Sequence, residues 1–71
     1  MKANKFVVTG LNDAKKFRQI EESINSHDGI NAVRIDMNAS TVTVDYDEGR
    51  YSEGDVKNFV SLAGLEVRQV K

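Results

Sequence analysis

The 71 residues contain no cysteine, and no proline or tryptophan either. Without cysteine there can be no disulfide, and no zinc site built on thiolates, whether all-sulfur or mixed with imidazole. Charge of one sign is scarce too. A formal net charge of −1 makes no field of the kind that draws a chain to nucleic acid or to a membrane surface. The asymmetry that exists is mild: residues 1–35 hold six Lys/Arg against four Asp/Glu, and residues 36–71 hold four against seven. Long apolar runs are also missing. Met1-Lys2-Ala3-Asn4 leads only to Phe6-Val7-Val8, too short for a signal-peptide core or a membrane span. The expectation is a soluble, cytoplasmic single domain over residues 1–71. That is near the lower size limit for a core that folds without staples.

What is present is regular period. Lys5–Thr9 predicts a strand with Phe6 and Val8 on one face and Lys5, Val7 and Thr9 on the other. Gly10 breaks it. Asn12 is placed to cap a helix over Asp13–Ser26, with Asp13 favourable against the helix dipole. Phe17, Ile20 and Ile24 form its apolar stripe, while Arg18, Glu21, Glu22 and Asn25 face water. Gly29 is expected to close it in a left-handed cap. Asn31–Met37 then alternates, with Val33, Ile35 and Met37 inward, and Asn38-Ala39-Ser40 has hairpin-turn chemistry. Thr41–Tyr46 answers with Val42, Val44 and Tyr46 inward and Thr41, Thr43 and Asp45 outward. Ser52-Glu53-Gly54-Asp55 approximates a capping box. It opens a second helix with Val56, Phe59, Val60 and Ala63 on its inner face. Gly64 ends that helix, and Leu65–Val70 supplies a last strand with Leu65 and Val67 inward.

Strand, helix, strand, strand, helix, strand, each with one apolar side, require two layers. The predicted fold is α+β: a ferredoxin-like βαββαβ sandwich, a four-stranded antiparallel sheet with both helices on one face. Right-handed crossovers place the first and third strands at the centre and the second and fourth at the edges.

Several residues then carry a resemblance. Gly10-Leu11, Ile20 and Ile24, Gly29-Ile30, Val33 and Ile35 before Asp36, Val42 and Val44 before Tyr46-Asp47, Ser52 and Ala63-Gly64 occur in the order and spacing of the heavy-metal-associated family. The chain resembles those copper chaperones and metal-ATPase N-terminal domains from about Lys5 to Val67. The resemblance implies a metal loop Gly-Met-x-Cys-x-x-Cys where this chain has Gly10-Leu11-Asn12-Asp13-Ala14-Lys15-Lys16. Asp13 and Lys16 stand at the two cysteine positions, and Leu11 stands at the loop methionine. Leu65 stands where the family often has an aromatic ring near the metal.

Soft ions prefer thiolate. A lysine ammonium offers only donors and repels a cation, and Asp13 alone is one hard oxygen ligand. Asp13 reads as a first-turn acid, with Lys16 as its candidate i,i+3 partner. Lys15 and Lys16 lie toward the positive end of the helix dipole, a mildly unfavourable place. The implied function is therefore a degenerate heavy-metal-associated domain acting as a small protein-interaction or regulatory module. Lys5, Lys15, Lys16 and Arg18 would form a basic face for an acidic protein surface. The alternatives are a weak, non-thiolate metal-binding accessory and a small-ligand sensor holding an anion at the Gly10–Asp13 turn. No cofactor is implied, and the expected state is a monomer or a weak homodimer.

Other chemistry finds little support. His27, the single histidine, reads as a residue of the last turn of the first helix, bonding free carbonyls. Met37 reads as core, Tyr46 as a core-edge residue with a wet hydroxyl, and Tyr51 as a staple ahead of Ser52. An RNA-binding sheet would stack bases on rings of the central strands. The outward positions Lys5, Val7, Thr9, Thr41, Thr43 and Asp45 offer none. Thr9–Asp13 has no arginine to grip a phosphate, and no nucleophile, base and orienting acid form a set. The chain is not expected to be an enzyme.

Overall fold

Every second side chain of a strand points the same way, and here that alternation selects the buried face. The computed structural model describes residues 1–71. It runs β1 (Lys2–Thr9), a 3-10 turn (Ala14–Lys16), α1 (Phe17–Asn25), β2 (Ile30–Asp36), β3 (Thr41–Tyr46), α2 (Glu53–Leu62) and β4 (Glu66–Val70). The sheet order is β2-β3-β1-β4 with every neighbour antiparallel, so β1 and β3 are central as the crossover rule requires. Phe6 pairs with Val42 and Asn4 with Val44 on the inner face, whereas Lys5 pairs with Thr43 and Val7 with Thr41 on the outer. Phe6, Val42 and Val44 of the sheet and Ile24, Val56 and Val60 of the helices are fully buried. No helix is long and apolar enough to cross a membrane.

The ends of the elements depart from the sequence expectation. β1 begins at Lys2, and Asn4 is buried on its inner face. The Tyr46 hydroxyl is not wet. It donates to Asn4 Oδ1 at 2.6 Å, and Asn4 Nδ2 donates to Glu53 Oε1 at 3.1 Å, linking two central strands to the first turn of α2. Met37 is not core: it follows β2 in the hairpin turn and is exposed, while Ile30 fills the inner face at the strand's start. Thr41, expected outside, is buried although its register partner Val7 faces outward. In β4 the register skips Arg68, because Val8 pairs with Val67 and Val7 with Gln69. That bulge lets Val67 and Val70, three residues apart, both pack against the core.

α1 ends at Asn25 with Ser26 as its C-cap, so Gly29 is not the helix cap. Its φ of +94° instead turns the chain into β2, and a Cβ there would meet the Tyr51 ring at 3.0 Å. Tyr51 does more than precede a cap. Its hydroxyl donates to the Asp28 carbonyl, and its ring meets Phe59 edge-on at 5.0 Å. His27 lies two residues past α1, stacked on Phe59 at 3.8 Å with Nδ1 3.1 Å from the Ile24 carbonyl oxygen. The Ser52–Asp55 capping box forms in both directions, at 3.1 and 2.9 Å.

Candidate functional site

The connection from β1 to α1 is shaped by two residues that turn the chain inward. Gly10 takes φ +102°, and Leu65 lies 3.4 Å from where its Cβ would be. Leu11 is buried in the core. These anchors hold the next residues at the rim. Asp13, not the exposed Asn12, is the capping residue: its backbone is extended, and its Oδ1 accepts from the Lys15 N–H at 2.9 Å. The cap opens a three-residue 3-10 turn rather than the α-helix itself, which starts at Phe17. The expected helix start at Asp13 is thus four residues early. α-Helical winding begins only where the stripe of Phe17, Ile20 and Ile24 reaches the core.

The anticipated Asp13–Lys16 ion pair is absent, and no acid lies within ion-pair distance of Lys16. The Asp13 carboxylate is held by backbone instead, and the Lys16 side chain is exposed. Lys16 lines a cavity of about 350 Å³ with Gln19, Ile20, Leu62 and Leu65, and Gly10 and Gly64 also border it. Leu62, 71% exposed beside it, was not singled out from the sequence. The available signal was that a leucine at 62 falls off the Val56–Phe59–Val60–Ala63 stripe.

Only part of the expected basic face comes together. Lys15 and Lys16 share the turn, while Arg18 on α1 pairs with Glu22 at 3.1 Å. Lys5 lies on the outer face of β1, in register with Thr43. The sheet therefore separates it from α1. It lines a second cavity of about 350 Å³ with Arg34, Asp36, Thr41 and Thr43.

A soft cation does not fit the loop residues. They offer one carboxylate already accepting a backbone N–H, and two ammonium groups. No three His, Cys, Asp or Glu side chains gather as a metal-ligand set anywhere in the fold. The imidazole of His27 is beyond the far end of α1 from this turn.

The sequence pattern of the heavy-metal-associated domain matches residues 3–64. The fold superposes with a TM-score of 0.85 on a copper-binding domain from HMA7, a P-type ATPase, at 20% identity over 100% of this chain and 99% of that one. On the CopZ metallochaperone the TM-score is 0.84, at 19% identity over 94% and 100% of the two chains. An N-terminal domain of a potential copper-translocating P-type ATPase from Bacillus subtilis, in its Cu(I)-loaded state, gives 0.77 at 26% identity over 100% and 92%. No curated protein matches the chain by sequence.

Proposed function

We propose, from the premise that this chain belongs to the heavy-metal-associated domain family, that it is a degenerate member serving as a protein-interaction or regulatory module, without the thiolate carrier site. The observation that carries this is the fate of the two loop positions. Asp13 caps the turn and Lys16 projects a free ammonium beside it. A fixed positive charge then stands where a metal-loaded relative would carry its ion, and Lys15 adds to it. Such a domain can dock on an acidic partner surface and deliver nothing, with electrostatic attraction setting the association rate. A cytoplasmic location and an absence of catalysis belong to the same proposal. Supporting the second, the single imidazole is occupied by its stack on Phe59 and its contact to the Ile24 carbonyl.

Titration with Cu(I), Zn(II), Cd(II) and Ni(II), followed by the amide signals of Gly10–Lys16, tests the loss of the carrier site. The expected result is no specific shift that saturates at micromolar metal. Saturating shifts there would favour a weak, non-thiolate metal-binding accessory. The docking surface is tested with Lys16→Glu, expected to slow association with an acidic partner and to flatten its dependence on salt. Unchanged binding with unchanged salt dependence would refute the charge-imitation mechanism.

A further inference from the structure

The sheet has two free edges, β2 and β4, and they are unlike. β4 is guarded against pairing: the bulge at Arg68 breaks its repeat, and Glu66 and Arg68 pair with each other at 3.5 Å. β2 is less interrupted over most of its length. Its one irregularity lies at Ile30–Ala32, and Val33–Asp36 runs in unbroken register with β3. No lysine or proline interrupts it. Val33 and Ile35 are only half-buried on the inner side, and Met37, just past the strand, is 40% exposed. On the outer side Arg34 and Asp36 are both exposed; Arg34 pairs through Nη2 with Asp45 of β3 at 3.3 Å, which leaves Nη1 and Nε for a partner. Asp36 has no cation partner within the chain, and only its Oδ1 is engaged, by the Ala39 N–H at 3.1 Å.

We propose that the β2 edge pairs with the β2 edge of a second copy of this chain, antiparallel, about a two-fold axis at Ile35. The segment Val33-Arg34-Ile35-Asp36-Met37 is complementary to itself in that register alone. Ile35 lies opposite Ile35 and Arg34 opposite Asp36 of the second copy, with Val33 facing the turn that opens at Met37. Moving the axis to Arg34 or to Asp36 puts like charges face to face. Moving it between residues sets an inner side chain against an outer one. A two-fold axis normal to the sheet joins eight strands and keeps all the helices on one side. Val33 and Ile35 then meet their copies beneath the sheet, while two Arg–Asp pairs close the outer surface. A five-residue edge buries less than the ~1,200 Å² of stable interfaces, so this is a concentration-dependent, weak dimer.

Sedimentation and amide signals of the full chain over a concentration series test it. The expected result is self-association as the concentration rises to millimolar, with the shifts concentrated on Val33–Met37. Arg34→Asp alone and Asp36→Arg alone each set two like-charge pairs opposite one another and should weaken the dimer about tenfold. An equal mixture of these two variants restores opposite charges at every pair, so it should form a heterodimer at least as readily as the unaltered chain dimerises. The double variant Arg34→Asp/Asp36→Arg should dimerise as the unaltered chain does. Circular dichroism confirms that each variant is folded. A chain that stays monomeric throughout, shifts that map elsewhere, or a mixture no tighter than its components would overturn the proposal.

Discussion

Tyr46 and Asn4 illustrate how much one polar contact decides at residue scale. Tyr46 is 1% exposed and Asn4 7%, so the hydroxyl and the amide satisfy each other where water does not reach. Tyr46→Phe leaves Asn4 Oδ1 without its donor and should cost about 1–3 kcal/mol. Thermal unfolding should read this as a loss of roughly 4–8 °C per kcal/mol. Burial, and then the nearby charges of Glu53 and Glu48, raise the Tyr46 phenol above its ordinary value of 10.0. The raised value sets the sign. The folded state favours the neutral phenol, so this stabilisation is complete below about pH 10 and is lost as the pH rises through the folded-state value. Denaturant melts at increasing alkalinity should show the decline, and Tyr46→Phe should reduce it. Asp13 shows a different lesson. Asp and Asn at successive positions are equally credible caps on paper; the backbone bend set by Gly10 and buried Leu11 gives the task to Asp13.

Among the elements, those with a strong internal period were legible and their boundaries were not. Val42, Val44 and Tyr46 on β3, and Val56 and Val60 on α2, are buried as alternation and the helical stripe required. Those patterns arise from local geometry, every second residue on a strand and every third or fourth on a helix. Met37 kept the alternation of β2 but fell in the turn, because the Asp36–Thr41 pair closes the hairpin one residue before it. The two turn glycines 29 and 64 offer a test. Both have positive φ, but a Cβ on Gly29 would press the Tyr51 ring at 3.0 Å, whereas one on Gly64 meets nothing within 4 Å. Either alanine variant should cost about 1–2 kcal/mol from backbone conformation alone. Gly29→Ala should exceed Gly64→Ala in urea melts by the cost of displacing that ring and the Arg50 side chain, whose Cδ lies equally close at 3.0 Å. Equal losses would mean that both side chains yield without resistance.

For the whole molecule, the turn from β1 into α1 is held against the end of α2. Gly10, buried Leu11 and the turn into α1 stand against Leu65 and the end of α2. Asp13→Cys with Lys16→Cys should therefore create one-to-one Cu(I) uptake, read by competition against a chromogenic chelator, with the fold unchanged. Failure to bind would mean that the loop has diverged in backbone as well as in side chains.

The amino-acid sequence by itself determined the layers, the strand order and the absence of thiolate chemistry. Period, turn residues and composition are local or additive properties, and they need no knowledge of which distant residues meet. Only the tertiary structure decided that Asn4 joins Tyr46 to Glu53, that Arg68 bulges so two valines reach the core, and that Lys5 lies across the sheet from Lys16. Each of these joins or separates segments far apart along the chain. Packing selects among locally equivalent choices there, and no periodicity in the sequence records which choice prevails.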